Sequence, residues 1–277
     1  MVQAKRKRDE SIPELPKAFK QRHTKDFNEA CQHILRVDPS LLATITSHDF
    51  PLFLVKEQEQ LTLNHHFAKL ASSIIAQQIS GNAAKSIKKR VVEYFGNEFP
   101  TYQKLHDSFQ DTKSVAGLRE CGLSQRKISY LESLAMYFHD NEKEIEVLFT
   151  QDDDKIVEEL VKNIKGIGPW SAKMFLVTSL ERMDVFAADD LGVARGCSKY
   201  LESRPEVLKN LKSKRTLLKK SKIKHKNMNW KIHDEDIVES CGQLFEPYGT
   251  VFMFILWRLS STNVEVMAKN EKEFATR

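Results

Sequence analysis

Gly166–Trp170 (GIGPW), followed by Val185–Gly196 (VFAADDLGVARG), is the stretch from which the remainder can be interpreted. Upstream, Ile156, Val157, Leu160, Val161 and Ile164 recur at helical spacing behind Asp152–Asp154, residues suited to a helix start. Downstream, Pro169 suits the first position of a helix, where its missing N–H costs nothing. The run from there to Leu180 is almost wholly apolar. Between the two helices, Gly166 and Gly168 supply the conformational freedom of a tight turn. Such a hairpin leaves the N–H groups of Trp170 and Ser171 without intrahelical acceptors. With glycines beside them, that is a place where a phosphate can approach the backbone. The adjacent pair Asp189 and Asp190 suits the start of a further helix.

The same 3.6-residue period extends outward. Phe67, Leu70, Ala71, Ile74, Ile75, Gln78 and Ile79 share one helical face, with Ser80 and Gly81 interrupting the run. Ala84, Ile87, Val91, Val92 and Phe95 form a second face, and Gly96 and Pro100 mark its end. Ser124 is placed to cap a helix through Phe138, and others are expected from Asp234 and Thr250. No alternating strand run of useful length and no 20–50-residue repeat is present. The chain reads as all-α.

With 277 residues, 41% of them hydrophobic, the chain can bury a sizeable core. Its charge of +5 is local. Residues 212–226 (KSKRTLLKKSKIKHK) hold eight Lys or Arg and no acid. Without those eight, 35 basic residues face 38 acidic ones. The segment reads either as a strip that tracks a nucleic-acid backbone or as a solvated loop. Residues 1–16 read as a charged, disordered tail, in which Lys5–Arg8 (KRKR) is either a nuclear import signal or simply solvated. Cys31, Cys121, Cys197 and Cys241 are widely spaced with no C-x-x-C pair, which argues against zinc and iron–sulfur sites and for reduced thiols. The most apolar run, Val251–Trp257, is too short to span a bilayer.

Taken together, VKNIKGIGPWSAKMFL (161–176) and DVFAADDLGVARG (184–196) resemble the hairpin, Gly/Pro-rich loop and aspartate of the helix-hairpin-helix-GPD DNA glycosylases. ASSIIAQQISGNAAKSI (71–87), GLSQRKISYLESLA (122–135) and FMFILWRLSSTN (252–263) resemble the 3-methyladenine branch, and the fungal enzymes most. The resemblance covers nearly everything from residue 17 onward. It implies two helical lobes around a central cleft within residues 17–277. One lobe holds the hairpin (62–200), and the other is built from 17–61 with 201–277. The β-containing N-terminal domain of the bacterial enzymes has no counterpart here.

The resemblance assigns Asp190 to catalysis and leaves Asp189 as the helix cap. Glycoside hydrolysis ordinarily uses two carboxylates. One suffices if the leaving purine is already cationic through alkylation at N3 or N7, because Asp190 then only stabilises the oxocarbenium or activates water. Glycosylases that also cut the strand carry a lysine at the position of Trp170, and Lys173 falls on another face. A monofunctional hydrolase is therefore expected. The resemblance places Trp170, Met174 and Trp257 in the base pocket, with Trp257 equally readable as core. It places Gly166, Gly168 and Ser171 on a DNA phosphate, and Gln77, Gln78, Ser80 and Gly81 in the region that fills the gap left by a flipped base. It further implies double-stranded DNA as partner, a monomer, hand-off of the abasic site to an endonuclease, no membrane, a nuclear location, no side-chain metal site and no cofactor beyond a monovalent cation on hairpin carbonyls. The rival reading is a non-catalytic DNA-binding repair factor that uses the hairpin only to hold phosphate.

Overall fold

The computed structural model describes residues 12–56, 61–223 and 230–260. The KRKR run and residues 224–226 of the basic segment lie outside them. In chain order the α-helices are α1 (Lys17–Arg22), α2 (Lys25–Val37), α3 (Leu42–Thr46), α4 (Leu63–Ala76), α5 (Gly81–Tyr94), α6 (Tyr102–Ser108), α7 (Thr112–Glu120) and α8 (Gln125–Asp140). They continue with α9 (Glu142–Leu148), α10 (Asp153–Asn163), α11 (Pro169–Thr178), α12 (Leu191–Glu202), α13 (Pro205–Ser213), α14 (Glu235–Gln243) and α15 (Gly249–Ser260). Among the described residues there is no β-strand, and the β-pairing consists of an isolated bridge between His23 and Leu54. The described residues divide into two compact units: 61–190, and 12–56 with 191–223 and 230–260.

The central unit starts its helices on side-chain caps, each worth about 1 kcal/mol. Thr62, Ser80, Thr101, Asp111 and Ser124 accept from the backbone N–H groups of His65, Ala83, Lys104, Ser114 and Lys127. Phe67, Leu70 and Ile74 of α4 are buried, as are Leu134 and Phe138 of α8, Leu160 of α10 and Phe175 of α11. His66 belongs to this interior. It shares a 2.9 Å hydrogen bond with Ser179, and burial pushes its pKa down to about 4, so its imidazole is neutral. The α4 periodicity overruns the helix, which ends at Ala76. Lys127 Nζ donates to the Ile75 carbonyl at 2.6 Å, satisfying part of the helix end, and Gln78 adopts a left-handed φ of 58°. Gln78 and Ile79 are therefore exposed loop residues, not part of the apolar face.

In the other unit the apolar run is the innermost helix. Val251–Leu256 of α15 are buried, and no described helix is long and apolar enough to cross a membrane. α12 packs on α15 at Gly196, where an added Cβ would lie 1.9 Å from the Leu256 carbonyl oxygen. Arg258 donates to the carbonyls of Ile45, His48 and Asp49 at 3.0, 3.0 and 2.8 Å and lies over the Phe50 ring. Phe27, Phe50 and Phe53 join Phe254 in one aromatic cluster. All four cysteines are buried and free.

The described part of the basic segment is bound down on α14. Arg215 reaches Asp234 at 2.7 Å and Asp236 at 2.5 Å, Lys219 reaches Glu235 and Glu239 at 2.8 and 2.7 Å, and Lys220 reaches Asp234 at 3.2 Å. The backbone joins in, with Lys219 N–H on Asp236 and Glu235 N–H on the Lys219 carbonyl. All three cations are thus paired with acids of the same unit. The Arg215 guanidinium holds the Asp234 carboxyl below the ordinary carboxylate range. A carboxyl depressed in the folded state contributes stability that is complete above its unfolded pKa of about 3.9 and lost as pH falls through the lower folded value. Arg215→Met is thus expected to lower the thermal unfolding midpoint at pH 7. Parent and variant should converge as pH falls below about 4.

Candidate active site

The hairpin joining α10 to α11 is fixed from three directions. The N–H of Ile167 donates to the Ile164 carbonyl, that of Lys165 to Ser133 Oγ at 3.1 Å, and Gln77 Nε2 to the Gly166 carbonyl at 2.8 Å. Gly166 is required twice over. Its φ is +83°, and a Cβ there would lie 2.2 Å from the Tyr130 ring. Gly168 differs from expectation: at φ −100°, ψ 174° it is extended backbone that any residue adopts, and a Cβ would meet nothing. The turn therefore does not require a glycine at this position, and the space beside it is open. Pro169 occupies the first turn of α11 as expected, and Gly168 offers no side chain to cap Trp170 N–H or Ser171 N–H.

The loop leading to Asp190 is anchored at its start and middle. Arg182 donates to the carbonyls of Phe149 and Gln151 and pairs with Asp153 at 3.2 Å. Lys173 Nζ donates to the Phe186 carbonyl at 3.0 Å, so this lysine holds backbone. Asp190 N–H donates to the Ala187 carbonyl, and its carboxylate Oδ2 accepts the indole N–H of Trp170 at 2.9 Å. Because α12 begins at Leu191, the residue immediately before it is Asp190. Asp189 stands exposed in the preceding turn, one position too early for the capping role expected of it.

Trp170, Ser171, Met174 and Gly166 share a pocket of about 460 Å³ with Gln77 and Gln78, and Lys69, Arg126 and Tyr130 also line it. Met174 is buried, whereas Trp170 is 40% exposed. Ser80 caps α5 through its hydroxyl, and Gly81 opens that helix. Trp257 belongs to the other unit, where it is half-buried and packs on Phe254 with ring centroids 4.9 Å apart. Tyr130 and Arg126 went unnoticed in the sequence. They sit at i and i+4 on α8, one filling the space over Gly166 and the other donating to Gln78 Oε1 at 2.6 Å. Among the described residues no His, Cys, Asp and Glu cluster could hold a metal ion.

Residues 71–222 match the family model described as HhH-GPD superfamily base excision DNA repair protein. The chain belongs to this superfamily. Its resemblance extends well past the matched segment. The HhH-GPD chain is 54% identical to the DNA-3-methyladenine glycosylase of Saccharomyces cerevisiae over 262 residues, covering 94% of this chain and 88% of that protein. It is 33% identical to DNA-3-methyladenine glycosylase 1 of Schizosaccharomyces pombe over 146 residues, covering 51% and 60%. The crystal structure of DNA-3-methyladenine glycosidase from Bacillus halodurans superposes with a TM-score of 0.60 at 27% identity, over 85% of this chain and 91% of that one. A Schizosaccharomyces pombe 3-methyladenine DNA glycosylase in complex with abasic DNA shares the fold, with a TM-score of 0.55 at 24% identity over 83% of this chain and 95% of that one.

Proposed function

We propose that this HhH-GPD protein is a monofunctional DNA-3-methyladenine glycosylase: it hydrolyses the N-glycosidic bond of alkylated purines such as 3-methyladenine and 7-methylguanine in double-stranded DNA. The observation that carries this reading is the carboxylate of Asp190 held at 2.9 Å by Trp170, at the start of the hairpin helix. A purine alkylated at N3 or N7 leaves as a neutral base, so no acid is needed to protonate it. Asp190 stabilises the positive charge that develops on the sugar and orients the water that adds to it. Trp170 stands where a strand-cleaving enzyme needs an amine, and Lys173 is engaged with the Phe186 carbonyl. The product is an abasic site in an intact strand, handed on by this monomer to an abasic-site endonuclease.

DNA would be held at the hairpin, where the N–H groups of Trp170 and Ser171, left uncapped by bare Gly168, donate to a phosphate. The exposed loop Gln78–Ser80 fills the gap left by the flipped nucleotide, with Arg126 steadying Gln78. The hairpin carbonyls of Ile164 and Gly166 are neutral, hard oxygen donors, a set that suits a monovalent cation. Each already accepts one N–H. We further assign Lys5–Arg8 to nuclear import.

The test is release of free 3-methyladenine and 7-methylguanine from dimethyl-sulfate-treated duplex DNA. Both are expected, with the strand intact and no adduct after borohydride. A trapped protein–DNA adduct would revive the lyase, and binding without release would favour the non-catalytic factor.

A further inference from the structure

The resemblance places Trp170 in the base pocket, where an aromatic ring offers its face to an electron-poor base. The structure shows what its edge does. Although the residue is 40% exposed, its indole nitrogen is engaged: it donates to Asp190 Oδ2 at 2.9 Å, across 20 residues of chain. Both ends are fixed without that bond. Trp170 follows a hairpin tied at Lys165 to Ser133 and at Gly166 to Gln77. Asp190 follows a loop tied at Phe186 to Lys173, and its own N–H is bonded to Ala187. A bond between two separately anchored groups adds little to the fold. It fixes one carboxylate oxygen, Oδ2, against the indole edge. Hydrogen bonds to an ionised acceptor are the strong kind. An indole N–H is also a donor only, so it cannot accept a proton and compete with the carboxylate as a base.

We infer that Trp170 is the positioning residue of this site: its indole N–H, acting through Asp190, is what the chemical step requires of it. The inference rests on the reading of Asp190 as the reacting carboxylate. Phe keeps an aromatic face and removes only the N–H. Trp170→Phe is therefore expected to lower the saturating single-turnover rate of base release from methylated duplex by about 10–100-fold, the worth of a hydrogen bond to a charged group. Affinity for a duplex carrying a tetrahydrofuran abasic analogue should stay within about twofold.

A double-mutant cycle separates positioning from packing. In an Asp190→Ala background, Trp170→Phe should cost less than about twofold, because the partner is gone. An equal cost in both backgrounds, or a fully active Trp170→Phe, overturns the inference while leaving Asp190 as the catalytic group. A fully active Asp190→Ala overturns the reading of Asp190 as the reacting carboxylate, and this inference with it. A spectrum guards against a Trp170→Phe protein that does not fold. Of the three indole ¹H–¹⁵N resonances, that of Trp170, assigned with the help of Trp230→Phe and Trp257→Phe, should move most in Asp190→Ala. If it stays in place, the bond is absent in solution and the proposal fails.

Discussion

Asp190→Asn is expected to slow release of 3-methyladenine and 7-methylguanine by about 10²–10³-fold, the loss seen when one preorganised charge-stabilising group is removed from an active site. Binding to an abasic-analogue duplex should be unchanged. The substitution isolates charge from geometry. Asn keeps the shape and an amide oxygen that can still accept the Trp170 N–H, so the side chain stays where the 2.9 Å bond holds it. On the proposed mechanism, what disappears is the negative charge that meets the positive charge developing on the sugar. In water that charge is worth little, and in a half-buried site considerably more. A neutral base such as hypoxanthine lacks the ready departure of a cationic purine, and no carboxylic acid is among the described residues lining the pocket to protonate it. It should leave more slowly than either methylated base at equal enzyme concentration. Wild-type rates for Asp190→Asn at unchanged binding would remove the carboxylate from the mechanism.

Gly196→Ala is expected to destabilise the protein by about 3 kcal/mol or more, beyond the usual cost of adding one methyl to a packed interior. The added carbon would lie 1.9 Å from the Leu256 oxygen, 2.5 Å from its carbonyl carbon and 2.8 Å from its Cα. All three are backbone, so no rotamer change relieves the clash. α15 cannot retreat either, because Val251–Leu256 are buried with 1% exposure or less. For a chain of this size the loss corresponds to a fall of about 6–12 °C in the unfolding midpoint. A midpoint within a degree of the parent would mean that α12 and α15 are not packed as described.

The hairpin was legible because its signals are local: a period of 3.6, two glycines and a proline within fifteen residues. The cap Ser124 was legible for the same reason, whereas Ser80 read as an interruption of the apolar run and proves to cap α5. What escaped depended on distant partners. α4 stops at Ala76 because a lysine 52 residues away reaches the Ile75 carbonyl, and no pattern within the helix announces that. Gly166 and Gly168 look alike in sequence. Only the Tyr130 ring and the sign of φ separate a required glycine from a permissive one. The basic segment invited a nucleic acid because its neutralising acids, Asp234 to Glu239, come later in the chain. Asp190 was found by resemblance, but the indole that holds it was assigned to the base alone.

The route of the chain through its two units has a consequence for synthesis. Residues 12–56 emerge from the ribosome before the middle of the chain, yet they belong with 191–223 and 230–260. Phe27, Phe50 and Phe53 must wait for Phe254, and the carbonyls of Ile45, His48 and Asp49 for Arg258. Meanwhile 57–190 can complete its own interior. A nascent protein halted after residue 190 should therefore present a finished middle and a sticky, protease-sensitive beginning, a natural substrate for chaperones until α15 has been translated.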